Sequence, residues 1–137
     1  MNYILFDSAT ARRKLLPFTF TRPVAEIRVG ILTIADKWRK HLNSDVSYLT
    51  EEYLAKKYTV KFKEQNLYIA GNLCPDESVI KAIQHLKPNQ KLVKEGVLLA
   101  SLEGETEHKL IGESCEEVEF DREVTLITQN WHIFKQN

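Results

Sequence analysis

Cysteine, glycine and net charge are all in short supply in this chain. Its 137 residues include two cysteines, five glycines and as many acids as bases, 19 of each. Cys74 and Cys115 match no CxxC or zinc spacing, which excludes a disulfide framework and a cysteine metal cluster and fits a reducing compartment. A balanced charge argues against a general nucleic-acid binder, which must neutralise many phosphates. No apolar run is long enough to cross a bilayer, and Met1-Asn2-Tyr3 lacks the basic and hydrophobic regions of a signal peptide. The expected setting is the cytoplasm, with neither nucleic acid nor membrane as partner. His41, His85, His108 and His132 are scattered with no partner at ligand spacing, and no Ser or Cys sits in a nucleophile-elbow sequence.

What is present is ordinary for one globular domain spanning residues 1–137: 43% hydrophobic and 28% charged residues, with no repeat, linker or low-complexity tract. The charge is unevenly placed. Residues 1–40 carry eight Lys and Arg against three acids, and residues 101–123 carry nine acids against two bases. The front of the domain can therefore attract an anion locally. The acidic run reads as a solvated face.

Strand and helix patterns alternate over the first two thirds. Residues 2–6 (NYILF) read as a strand, and residues 33–42 as a helix capped by Thr33 with Ile34, Trp38 and Leu42 on one face. Residues 46–49 read as a short strand, Thr50 as the cap of a helix reaching about residue 57, and residues 67–70 as an apolar strand. A third helix begins near Pro75, with Val79, Ile80, Ile83 and Leu86 as its buried face and Asp76 near its positive end. This alternation implies parallel βαβ units, an α/β domain with a mostly parallel sheet and flanking helices. The last third changes character. Residues 91–94 and 97–102 flank Glu95-Gly96 as a β-hairpin, and residues 117–120 and 124–127 read as two more strands. The aromatic segment 131–134 is expected to pack against something.

Candidate chemistry concentrates in residues 7–23, read as a loop at the carboxyl end of the first strand, where open α/β sheets dock ligands. Arg12-Arg13-Lys14 would put three cations there to hold a phosphate. The alternative is a rigid, proline-bracketed loop with solvated basic residues. Asp7 could meet a ribose, a base or a metal, or could hydrogen-bond the next turn. Arg22 and Arg28 carry the planar fork suited to phosphate, or one of them could pair with Glu26 or Asp7.

The run Leu15-Leu16-Pro17-Phe18-Thr19-Phe20-Thr21-Arg22-Pro23 resembles the signature of sugar-1-phosphate nucleotidyltransferases. In that signature a glycine-rich loop ending in Thr-Arg precedes Leu-x-Pro-Leu-Thr-x-x-x-Pro-Lys. Leu15, Pro17, Phe18, Thr19 and Pro23 fall on it with the same spacing. The departures are three: no glycine stands between Asp7 and Arg13, Lys14 takes the place of the signature arginine, and Val24 takes that of the lysine. A nearer resemblance is to the sugar nucleotidyltransferase domain at the front of longer bacterial proteins. These are similar to bifunctional N-acetylglucosamine-1-phosphate uridyltransferase/acetyltransferases.

The resemblance implies a nucleotidyltransferase-like, Rossmann-like fold and attack of a sugar-1-phosphate on the α-phosphorus of a nucleoside triphosphate, releasing pyrophosphate. It implies catalytic roles for Lys14 and Arg22, and nucleotide or phosphate binding by Asp7, Arg12, Arg13, Thr19 and Arg28. The family's metal-binding aspartate ends an apolar strand in Asn-Gly-Asp. Here Leu67-Tyr68-Ile69-Ala70-Gly71-Asn72 puts an amide in that place, so no metal ligand is assigned, and Mg²⁺ is implied only for an active enzyme. Two functions stand open: a nucleotidyltransferase domain with degenerate catalysis, or a non-catalytic sugar-nucleotide-sensing or assembly domain. The resemblance further implies a fragment of a longer protein, joined to a C-terminal β-helix of hexapeptide repeats or associating with copies of itself.

Overall fold

The computed structural model describes residues 2–16, 19, 22–29, 31–106 and 110–127. At its centre lies the first strand, β1 (Asn2–Phe6), between β4 (Ser47–Leu49) and β5 (Asn66–Ala70), both parallel to it. Every residue of β5 is buried, as expected of a strand covered on both faces, which is why it reads as an unbroken apolar run after Asn66. Beyond β5 the sheet continues through β8 (Val97–Glu103), β7 (Gln90–Lys94) and β9 (Glu116–Glu119), in the order β4-β1-β5-β8-β7-β9. β8 is antiparallel to both neighbours and β9 is parallel to β7, so β8 alone runs against the common direction. The α/β class and the mostly parallel sheet expected from the alternation are present in this mixed form.

The β7–β8 hairpin turns at Glu95 and Gly96, with φ of 50° and 80°. Two successive positive φ values match the type I′ turn, whose twist suits a two-residue connection. Two small ribbons complete the strands. β2 (Arg28–Val29) pairs with β3 (Leu32–Thr33), and β6 (Leu73–Cys74) pairs with β10 (Thr125–Leu126).

Three α-helices are described. α2 (Ile34–Leu42) starts where Thr33 Oγ1 accepts the Asp36 N–H at 3.0 Å, and ends at Asn43 in the left-handed region. It buries Ile34, Ala35 and Trp38, whose indole N–H donates to the Leu73 carbonyl at 2.8 Å and ties the helix to β6. α3 (Glu77–Gln84) is capped by Asp76, which accepts from the Val79 N–H at 2.9 Å and from Ser78 Oγ at 2.8 Å. Pro75 therefore precedes the cap rather than opening the helix.

Two expectations are corrected. Residues 7–23 are not loop throughout, because α1 (Ala9–Lys14) forms there, capped by Ser8 Oγ accepting the Ala11 N–H at 3.1 Å. The helix expected from Thr50 to about residue 57 is only a 3-10 turn at Glu52–Leu54 followed by turns. The Thr50 hydroxyl donates to the Asp7 carboxylate. Among the described residues no helix is long and apolar enough to cross a membrane. The aromatic segment 131–134 and the signature residues Pro17 and Phe18 lie outside the described residues.

Candidate functional site

Strand register brings the site together. Phe6 lies opposite Leu49 in β4 and opposite Ala70 in β5, so the residues that follow, Asp7, Thr50 and Gly71, emerge side by side at the carboxyl edge of the sheet. The order β4-β1-β5 makes β1/β5 a point where the chain reverses its direction of travel across the sheet, the place where open α/β sheets leave a crevice.

In this molecule that crevice is closed by the chain itself. Pro23, which ends the signature run, and the 3-10 turn Val24–Glu26 after it press inward, with Val24 and Ala25 fully buried. Gly71 shows how tightly they fit. Its N–H donates to the Phe6 carbonyl at 2.8 Å, and a Cβ there would stand 3.0 Å from that oxygen and 3.3 Å from the Ala25 nitrogen.

Asp7 is 3% exposed and Arg12 is 7% exposed, and they form an ion pair at 2.6 Å. Oδ2 of Asp7 also accepts from the Thr50 hydroxyl at 2.6 Å, and Oδ1 accepts from the Val24 N–H at 3.1 Å. Burial pushes the Asp7 carboxyl up, against the Thr50 and Arg12 hydrogen bonds, the Arg12 charge and the Val24 N–H. The donors gathered on it all favour its charged form.

Arg12 does more than neutralise Asp7. Its Nη1 also reaches the Arg22 carbonyl at 3.2 Å, and its Nη2 donates to the Thr19 carbonyl and, at 2.8 Å, to the Tyr53 hydroxyl. The guanidinium carbon lies 5.9 Å from the centre of the Tyr53 ring. Thr19 returns a hydrogen bond from Oγ1 to the Arg12 carbonyl at 2.6 Å. One guanidinium thus fastens the signature run to the ends of β1 and β4.

Of the seven residues singled out from sequence, the structure joins Asp7, Arg12, Thr19 and the backbone of Arg22 in one buried network. Arg13 and Lys14 face solvent on α1, and neither side chain hydrogen-bonds or ion-pairs with another described residue. Successive helical residues diverge by about 100°, so three consecutive cations do not share one face. Arg28 belongs to a different feature, the β2–β3 ribbon, where its Nη1 donates to the Ile31 carbonyl at 2.8 Å. Neither Arg22 nor Arg28 pairs with Asp7 or Glu26. Glu26 accepts instead from the Tyr48 hydroxyl at 2.6 Å, which in turn accepts from Arg39 Nη2 at 2.8 Å.

Thr50 and Tyr53 were missed in the sequence reading. Thr50 carried a signal, since it follows a strand just as Asp7 does. Tyr53 carried none.

Asn72, in the place of the family's acid, donates from Nδ2 to the Ile127 carbonyl at 3.2 Å and receives the Ile127 N–H on its own carbonyl at 2.8 Å, anchoring the end of β10. Among the described residues no group of three His, Cys, Asp or Glu is placed to hold a metal ion. Cys74 and Cys115 are free, and burial pushes both thiols up, away from nucleophilic reactivity. A groove of about 700 Å³ lies between α3 and β7–β9, lined in part by Asp76, Lys81, His85, Leu92 and Phe120. None of the seven residues lines it.

The strand order and the ion pair behind the end of β1 belong to an α/β domain with a mixed six-stranded sheet, consistent with a nucleotidyltransferase-like fold. A family model for sugar nucleotidyl transferases matches residues 3–137, and the chain belongs to that family. No curated protein matches it.

Proposed function

We propose that this domain binds a nucleoside diphosphate-sugar or a sugar phosphate at the carboxyl edge of β4, β1 and β5, and that its transferase chemistry is degenerate. The observation that carries this reading is the commitment of Asp7. The Asp7 carboxylate has both oxygens taken by Arg12, Thr50 and Val24, while Arg13 and Lys14 stand in solvent on the adjoining helix. Exposed cations next to a neutralised acid suit an anion better than a metal.

The family's reaction implies Mg²⁺, and these residues do not fit it. A dication at Asp7 would meet a guanidinium 2.6 Å from the oxygen it needs, and Asn72 offers an amide that is a weaker ligand than a carboxylate. Closure of the β1/β5 crevice by Val24 and Ala25 leaves the ligand to the outer rim, where Arg13, Lys14 and Arg22 supply charge. The same features suit a sensing or assembly domain that has kept the fold and the anion site.

Two measurements test this. Calorimetric titration with a nucleoside diphosphate-sugar is expected to show binding that weakens with salt and in the Arg13→Ala/Lys14→Ala double variant. Unchanged affinity in that variant removes α1 from the site. A pyrophosphate-release assay over a panel of triphosphates and sugar phosphates, with Mg²⁺ or Mn²⁺, is expected to stay near background. Turnover of about one per second or faster, within the range of ordinary enzymes, overturns the degenerate reading.

A further inference from the structure

We infer that the two margins of the six-stranded sheet form an interaction surface for a second copy of this chain, the outer edge of β9 in one molecule pairing with residues 58–63 of the next. This surface is independent of the anion site proposed above. Along β9 the N–H groups of Glu116 and Phe120 donate inward, to the carbonyls of Asn89 and Val93 at 2.9 and 2.7 Å, and Val118 lies opposite Leu92 between them. Backbone groups alternate along a strand, so those of Glu117 and Glu119 point away from the sheet. Among the described residues nothing pairs with them.

The opposite margin has the same form. The Tyr48 N–H donates to the Thr59 carbonyl at 3.1 Å and the Lys61 N–H donates to Ser47 Oγ at 3.2 Å, so residues 59–61 run back along β4, antiparallel to it. Asn2 Nδ2 donates to the Lys61 carbonyl at 2.7 Å, and the Asn66 side chain meets the N–H and carbonyl of Lys63 at 2.8 and 3.1 Å. Thr59, Lys61 and Lys63 are thus bonded inward. The backbone groups of Val60 and Phe62 between them face out, with no partner among the described residues. β4 and β9 run the same way in the sheet, so a neighbouring copy laid side by side brings residues 58–63 antiparallel to β9.

Charge decides which edges meet. Glu116, Glu117, Glu119 and Asp121 are exposed along β9 and just past it, and Lys56, Lys57, Lys61 and Lys63 are exposed along the other margin. Charged residues on an edge ordinarily blunt pairing, and each margin here does repel its own kind. Opposite signs leave one combination attractive, β9 against residues 58–63. That contact is head to tail, so every copy added keeps one margin of each sign free, and the assembly grows unless it closes into a ring.

The test is sedimentation velocity of the whole chain over a range of concentrations at about 0.01 M and about 1 M salt, where charges are screened beyond about 30 Å and about 3 Å. Association that rises with concentration at low salt and is lost at high salt is expected. A monomer at low salt overturns the inference. The triple variant Glu116→Lys/Glu117→Lys/Glu119→Lys makes both margins basic, and Lys56→Glu/Lys61→Glu/Lys63→Glu makes both acidic. Each variant alone is expected to associate at least roughly tenfold more weakly than the parent, and an equal mixture of the two is expected to associate again, which also shows that both are folded. Undiminished association of either variant alone places the contact elsewhere and overturns the inference. So does a mixture that stays monomeric while both variants keep the parent's circular dichroism. Amide hydrogen exchange of the parent needs no variant: the N–H groups of Val60, Phe62, Glu117 and Glu119 are expected to slow by roughly tenfold or more from a dilute, high-salt sample to a concentrated, low-salt one. Unchanged exchange at these four positions in an associated sample overturns the edge pairing.

Discussion

Replacing Arg12 by Met tests the architecture of the site most directly. The change keeps much of the side-chain length and removes the guanidinium, leaving Asp7 buried with only Thr50 and the Val24 N–H as donors and leaving the Thr19 and Arg22 carbonyls without their partner. Removing one member of a buried ion pair costs about 3–5 kcal/mol, because the remaining charge keeps its desolvation penalty and loses its counter-charge. For a domain of this length that is a shift of about 10–17 °C in melting temperature, a large part of a total stability of about 5–15 kcal/mol. Urea unfolding followed by tryptophan fluorescence measures it.

The double variant Arg12→Met/Asp7→Leu removes both charges and is expected to recover much of the loss, since an apolar pair of similar volume carries no desolvation cost. The pH dependence carries a definite sign. Without Arg12, the hydrogen bond and charge that hold the Asp7 carboxyl down are gone, so burial raises it further in the folded state. A carboxyl raised on folding adds stability at low pH that is lost as pH climbs through its folded value. The deficit of Arg12→Met relative to the parent is therefore expected to narrow as pH falls toward the unfolded aspartate value of 3.8. A single variant within about 1 kcal/mol of the parent, below the cost of breaking a buried pair, would refute the latch.

Two further predictions concern packing and alkaline pH. Gly71→Ala should lower stability by about 1–3 kcal/mol, because the new Cβ meets backbone at 3.0 and 3.3 Å rather than a side chain that could move aside; an unchanged urea midpoint would show that the turn Val24–Glu26 yields. Burial, and then the hydrogen bond and charge of Glu26, push the Tyr48 hydroxyl above its ordinary value of 10, so its contribution is complete below pH 10 and lost as pH rises beyond it. Tyr48→Phe should therefore flatten the fall of stability above pH 10, and an unaltered slope in urea midpoints would count against this assignment.

The strands and the hairpin were legible because their signals are local. An apolar run marks β1 and β5, and a Glu-Gly pair between two runs rich in Val and Leu marks β7 and β8. α1 was not legible because its six residues, three of them basic, carry no apolar periodicity. Thr50 illustrates a different failure. A threonine ahead of Glu51-Glu52 looks like a helix cap, and only the register of β4 against β1 reveals that its hydroxyl belongs to Asp7. Arg12, Arg13 and Lys14 looked like one cationic patch for a similar reason. What turns Arg12 inward is a partner set that includes Thr50 and Tyr53, 38 and 41 residues away, and no local pattern reports it. The family resemblance marked the run Leu15 to Pro23 but could not say that Val24 and Ala25, just after it, press into the crevice it borders.

The place of β1 between β4 and β5 has a consequence for the order in which the molecule is made. β1 is synthesised well before its partners, which begin at Ser47 and Asn66, and its ion-pair network is incomplete until Thr50 and Tyr53 arrive. By contrast, β7 and β8 are joined by two residues and can pair as soon as both exist. Non-local parallel pairing must meet the entropy of closing long loops before any contact rewards it. β1 thus stays unpaired until Ala70 has been made, an exposed apolar strand that a chaperone can shield.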